Sequence, residues 1–191
     1  MLTEVQAKEL LEIVKKALIS YFENNILKLT SNHLMNIKVD GIFLTFSQED
    51  KVLGSLGSVF PSSSVLDTSL DIAIALANRL KAKGFSIKPN ELILEISEIL
   101  EPKLMSSDNP LNYLKSIEVG KDGIIVDRGF YKGVVLPKIA LEKNFSPLDM
   151  LSYACESAGL LADFWTYKDT KVYKFQTINY RLEPSGKFYK V

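Results

Sequence analysis

Apolar residues recur at helical spacing near the start of the chain: Leu10, Leu11, Val14, Ala17, Leu18, Tyr21 and Phe22. Glu4, Lys8, Glu12, Lys15 and Lys16 lie mostly off that stripe. The period predicts an amphipathic helix packed by one face on a sheet. Thr3 and Gln6 have capping-box spacing and mark its start; Asn24-Asn25 marks its end. Residues 26–40 read as an irregular connection containing His33. Gly41 to Phe46 and Lys51 to Gly57 read as a hairpin, because both runs favour strand and Ser47-Gln48-Glu49-Asp50 reads as a turn. A second helix is expected from Val65 to Lys83, with Val65, Leu66, Leu70, Ala73, Ile74, Ala77 and Leu80 on its apolar side and Gly84 as its stop.

Beyond Pro89 the pattern changes to alternation. Leu92 to Ser97 predicts a half-buried strand, with Glu95, Glu98 and Glu101 on its solvent side and exit. Asn109-Pro110 opens a short helix through Lys115. Lys121-Asp122-Gly123 turns into strand Ile124-Ile125-Val126. Asp127-Arg128-Gly129 turns the chain again, and Gly133 to Leu136 returns it. Pro137 starts a helical stretch to Lys143, and Ser146-Pro147 caps another helix ending at Gly159. Lys171 to Ile178 alternates as a late strand. Strands and helices mix without a βαβ repeat, so the expected class is α+β with a largely antiparallel sheet and flanking helices. Residues 1–182 are expected to form the folded body, and residues 183–191, with Pro184-Ser185-Gly186, a loosely held tail.

Composition narrows the function classes. The 191 residues are 47% hydrophobic, enough for a sizeable core. The 23 basic and 23 acidic residues cancel, so the broad positive field of a nucleic-acid binder is not expected. One cysteine, Cys155, and one histidine, His33, argue against an internal disulfide and against a zinc site. No cofactor is expected. No run of apolar residues is long enough to span a membrane, and the start lacks the features of a signal peptide, so the expected location is the cytoplasm.

Each residue with candidate chemistry has a structural reading beside it. Ser55, between Gly54 and Gly57, reads as a strand-edge nucleophile whose glycines admit a ligand, or as a small residue where backbones pack. Cys155 reads as a thiol nucleophile or as helix core. His33 reads as a base or as a solvated imidazole. Gly120-Lys121-Asp122-Gly123 lacks phosphate-loop spacing and reads as a turn. Phe164-Trp165 with Tyr167 reads as a plug under a loop rather than a base-stacking platform.

Several runs, taken in order, resemble the AMMECR family. They are Gly41 to Phe46, Leu53-Gly54-Ser55-Leu56-Gly57-Ser58, Ile96-Ser97, Ile117 to Val126, Gly133-Val134-Val135-Leu136-Pro137, Leu151 to Leu160 and Lys171 to Gln176. The resemblance spans about residues 3 to 180 and makes residues 1–182 an AMMECR-like domain. It implies a two-lobed α+β fold and an intracellular protein, and brings no established activity with it. In some relatives the domain is fused to a Memo-like domain or associated with radical-SAM proteins. The family's Leu-Arg-Gly-Cys-Ile-Gly signature is altered here: Val52 stands for the leucine, Leu53 for the arginine and Ser55 for the cysteine, while Gly54 and Gly57 remain. Of the family's Asp-Pro-Arg-Phe stretch only Phe85 matches, and Lys138 replaces the usual glutamine after Leu-Leu-Pro.

These features lead to an expected binding or accessory module with a degenerate signature. Its candidate ligand surface is an inter-lobe cleft near Lys51, Gly54, Ser55, Gly57, Ser58 and Lys138, the two lysines holding an anionic group. The alternative is an enzyme using Ser55 as nucleophile or hydrogen-bond donor, which requires a general base within reach. The expected partner is a small ligand or a protein, with no membrane and no nucleic acid; no metal site and no oligomeric state is assigned.

Overall fold

The computed structural model describes residues 1–23, 31–49 and 51–191. The expected end of the first helix at Asn24-Asn25 and the turn residue Asp50 lie outside the described residues. The chain divides into two compact units, Met1–Ile99 with Ile178–Val191, and Leu100–Thr177. The fold is α+β, with antiparallel strands and flanking helices, as the pattern predicts.

In the first unit, α1 (Glu4–Phe22) starts on a complete capping box between Thr3 and Gln6. Its stripe is as expected through Leu18, and Leu10, Leu11, Val14 and Leu18 have no exposure. β1 (Gly41–Gln48) and β2 (Lys51–Val59) form the hairpin, with a register shift between Phe46 and Ser47. α2 (Val65–Ala82) packs on both strands and on α1. Its buried face carries Ile72 and Leu76 rather than Leu70 and Ile74, which are half-buried. Gly84 follows with φ of 83°, the left-handed position that stops a helix. The sheet order in this unit is β2-β1-β3-β6, with β7 beside β6, where β3 is Ile93–Leu104, β6 is Lys171–Leu182 and β7 is Phe188–Lys190.

Two expectations change here. β3 is not half-buried: every residue from Ile93 to Ile99 is buried, because both faces of the strand are covered. Glu95 and Glu98 are therefore interior, at 3% and 1% exposure, and not on a solvent side; Glu101 alone is exposed. A buried carboxylate must be paired. Glu98 accepts the Leu2 backbone N–H at 2.9 Å, which ties the lead into α1 to the sheet. Glu95 takes Arg181. Nor is the segment after Leu182 loose. Glu183 N–H donates to the Lys187 carbonyl at 2.9 Å across the Pro184-Ser185-Gly186 turn, and β7 pairs with Tyr180, Arg181 and Leu182.

In the second unit the order is β6-β4-β5, where β4 is Gly123–Arg128 and β5 is Tyr131–Val135. α3 (Tyr113–Ser116) follows the Asn109-Pro110 turn, and α4 (Pro137–Glu142) opens on Pro137. α5 (Pro147–Ser157) packs on β4 and β5, with Ser146 and Asp149 as a capping box. Ile124, Val126, Met150, Leu151, Cys155, Trp165 and Val172 form the core. Gly133 lets α5 approach: a Cβ there would lie 1.9 Å from the Ala154 carbonyl oxygen. The Gly120–Gly123 turn is held by Asp122, which accepts Glu118 N–H at 2.9 Å and lies 3.3 Å from Lys174 Nζ.

Candidate functional site

Antiparallel register places opposed residues on the same face. Ser55 on β2 opposes Thr45 on β1, and Thr45 opposes Glu95 on β3. The three form a polar row across the sheet of the first unit. Thr45 Oγ1 donates to Ser55 Oγ at 3.1 Å. Glu95 Oε2 accepts Arg181 Nη2 at 2.9 Å and Nε at 3.3 Å. Burial works against the Arg181 charge, but its hydrogen bonds to Glu95 and to Tyr189 outweigh it and raise its pKa. Tyr189, opposite Arg181 in the β6–β7 ladder, donates to Glu183 Oε1 at 2.6 Å, and that bond pushes its phenol pKa up. The row thus runs from an exposed Ser55 to an interior ion pair whose arginine side chain is 29% exposed.

Strand alternation separates the predicted site residues. Ser55 and Gly57 share the face of Thr45 and Phe43. Gly54 and Ser58 lie on the other face, opposite Phe46 and Ile42, and a Cβ at Gly54 would meet Leu76 and Leu80 of α2 at 3.3 Å. A Cβ at Gly57 would meet the Phe43 ring at 2.3 Å, so this glycine makes room for an aromatic side chain of its own hairpin. Both glycines serve packing in the first unit. Lys51 is exposed at the start of β2. Lys138 is half-buried in α4 of the second unit.

Among the described residues, the base that a serine nucleophile needs is not bonded to Ser55. Its hydroxyl is taken by Thr45, and His33 is engaged elsewhere, with Nε2 2.7 Å from Glu9 Oε2 and Nδ1 3.5 Å from Ser31 Oγ. Cys155 is buried in the second unit's core, and burial pushes its thiol up to about 11, so it is protonated near neutral pH. Among the described residues, no group of His, Cys, Asp and Glu could hold a metal ion, and no helix is long and apolar enough to cross a membrane.

A second constellation, in the Leu100–Thr177 unit, has no counterpart in the expected site. The β4–β5 hairpin turns at Gly129-Phe130, with Gly129 at φ of 69° and Phe130 fully exposed. Arg128, at the end of β4, lies over the Phe164 ring at 4.6 Å from its centroid and pairs with Asp169. Its Nη1 is buried without a hydrogen-bond partner among the described residues. Arg128, Tyr131, Gly159, Leu160, Leu161 and Phe164 line a concavity of about 550 Å³. Of the expected aromatic plug, Trp165 is buried, Phe164 stacks on Tyr167, and Tyr167 is half exposed. The signals were an arginine in a hairpin turn and two leucines beyond a helix stop, too common singly to mark a site.

The sequence model described as AMMECR1 matches residues 11–180. Protein MK0488 of Methanopyrus kandleri is 29% identical over 194 residues, covering 97% of this chain and 93% of that protein. A protein of Methanococcus aeolicus is 31% identical over 156 residues, 78% of each chain. The crystal structure of uncharacterized protein PH0010 from Pyrococcus horikoshii aligns with a TM-score of 0.78 at 27% identity, covering 95% of this chain and 94% of that one.

Proposed function

Since the chain belongs to the AMMECR1 family, we propose that it works as a ligand-binding or accessory module, and that the Ser55–Thr45–Glu95–Arg181 row is its ligand surface. The row supports this reading because it combines an exposed serine and a partly buried threonine hydroxyl with a guanidinium already balanced by Glu95. Such a surface recognises a small polar molecule by hydrogen bonds rather than by net charge. Of the residues expected around an inter-lobe cleft, Ser55 contributes its side chain to this row. Ser55 as a nucleophile is less well supported, because the hydroxyl of Thr45, not a base, lies against it.

The test uses the full chain. A library of small polar metabolites is screened for a rise in melting temperature, and each hit is repeated on a Thr45→Val/Ser55→Ala double variant. A ligand that binds only the folded state stabilises it in proportion to ln(1 + [L]/Kd). The gain should appear in the parent and vanish in the double variant. A gain that survives the double variant places the ligand elsewhere. Turnover of a hit abolished by Ser55→Ala alone would establish the enzyme reading instead.

A further inference from the structure

We propose that the free edge of β2, with the stripe Asp71, Ala75 and Arg79 of α2 above it, is a pairing surface for a second copy of this chain related by a twofold axis. It uses backbone groups and α2 side chains, so it does not rest on the polar row as a ligand surface.

β2 has β1 on one side and no strand on the other. Phe60 fixes which backbone groups are open, because its N–H donates to the Asp40 carbonyl at 2.7 Å. Antiparallel strands turn alternate residues toward their partner, and the register is regular from Gly54 opposite Phe46 to Val59 opposite Gly41. Ser58, Leu56 and Gly54 therefore face β1, while Ser55, Gly57 and Val59 turn their N–H and C=O groups outward. No residue of β2 is buried, although α2 lies on it: Leu56 is half-buried where Leu44, opposite on β1, has no exposure. Sheets blunt such edges by shortness, charge, proline or cover. β7 is three residues long, and β5 is five long with Val134 N–H given to Ser157 Oγ at 3.2 Å. β2 is nine long and carries no charge or proline from Val52 to Phe60. An uncharged open edge is completed by another extended, uncharged strand.

α2 points to the chain's own β2 as that strand. It rests on β1 and β2, with Leu76 and Leu80 over Gly54. α1 stands on the other side of α2: Glu98 of β3 accepts the Leu2 N–H, and Lys81 of α2 lies over Tyr21. Ala75 and Arg79 sit roughly 120–160° around the helix from Lys81, toward the β2 edge, and Asp71 begins the same stripe one turn earlier. All three are exposed, and neither charge has an ion-pair partner among the described residues. A twofold axis at the strand edge sets two α2 helices antiparallel on one face of the joined sheet. With strands about 4.8 Å apart, helices above the two β1–β2 midlines lie about 10 Å apart, a helix-packing distance. Centred on the small Ala75, that pair sets each Asp71 against the other copy's arginine of the same stripe. The 23 basic and 23 acidic residues cancel, so no net repulsion opposes the approach. A foreign strand would satisfy the edge alone, whereas the mirrored charges of the stripe are satisfied by a second α2.

The test is sedimentation equilibrium of the full chain at low salt, with amide hydrogen exchange on dilute and concentrated samples. A monomer–dimer equilibrium is expected, and the Ser55, Gly57 and Val59 amides should exchange more slowly as concentration rises. Arg79→Glu sets like charges face to face at two places and should weaken the dimer about tenfold, less at high salt. Asp71→Arg should do the same, and the double variant Asp71→Arg/Arg79→Glu should restore the parental affinity. Val59→Pro removes one outward N–H and no bond to β1, and should also weaken the dimer; the charge variants, at exposed positions, serve if it does not fold. A chain that stays monomeric to about 1 mM overturns the proposal and leaves the edge to an extended segment of another protein. A dimer unchanged by Arg79→Glu or by a folded Val59→Pro, or a double variant as weak as the single ones, also overturns it, because the copies then meet elsewhere.

Discussion

Replacing Arg181 by methionine tests the interior ion pair on which the polar row rests. The substitution keeps most of the side-chain length and removes the guanidinium. Glu95 is 3% exposed, so its carboxylate loses two hydrogen bonds in a place water barely reaches. Breaking a buried pair by removing one partner costs about 3–5 kcal/mol. Arg181 is 29% exposed, so water can enter beside it, and a loss at or below the lower end of that range, about 2–3 kcal/mol, is expected. Glu95→Gln alone leaves a neutral amide that can still accept from Arg181, and should cost about 1–2 kcal/mol. The double variant carries no buried charge at this place, so the two losses should not add. Urea denaturation of the parent, both single variants and the double variant gives the coupling directly, with an expected magnitude of at least about 1 kcal/mol. Additive losses, or an Arg181→Met protein within about 0.5 kcal/mol of the parent, would show that the pair is solvated and that the row has no fixed inner end.

Leu18→Ala should lose about 2–5 kcal/mol in the same assay, because Leu18 is wholly buried, whereas Ser55→Ala, which loses one hydrogen bond near the surface, should lose less than about 1 kcal/mol. Gly57→Ala should cost about 1–3 kcal/mol through collision with the Phe43 ring, and Phe43→Leu in the same chain should recover part of it. Cys155 should resist a thiol reagent until the protein unfolds. Its thiol pKa rises from 9.0 to about 11 on folding, so between those values the unfolded chain holds fewer protons than the folded one, and stability should fall as pH rises through that window and do so less in Cys155→Ala.

The sequence was most legible where cause and effect lie close along the chain. The α1 stripe, the Thr3–Gln6 and Ser146–Asp149 capping boxes and the stops at Gly84 and Gly159 depend on neighbours a few residues away. The candidate site was less so. The Ser55–Thr45 bond spans a hairpin, but the register shift at Phe46/Ser47 hides which residues oppose each other. Glu95 was misread because its partner is 86 residues away, and alternation alone cannot tell a strand covered on both faces from one covered on one. A glutamate amid Leu92, Ile93, Leu94 and Ile96 was the available sign that a partner had to exist. Gly54 and Gly57 suggested room for a ligand because a sequence does not show what fills the space above a glycine; Leu76, Leu80 and the Phe43 ring fill it.

The division of the chain at Ile99 and Thr177 also sets an order of events during synthesis. Residues 100–177 are continuous, so that unit has all its parts as soon as Thr177 has left the ribosome. The first unit is split, and its β-sheet waits for Ile178–Val191. Until then α1, α2 and the β1–β2 hairpin can gather around β3, but the carboxylate of Glu95 has no guanidinium to meet and stays hydrated. Arrival of Arg181 and then of β7 closes that gap. A chain ending at Thr177 and held on the ribosome by an unstructured linker long enough to clear the exit tunnel should therefore hold a protease-resistant second unit beside an accessible first one.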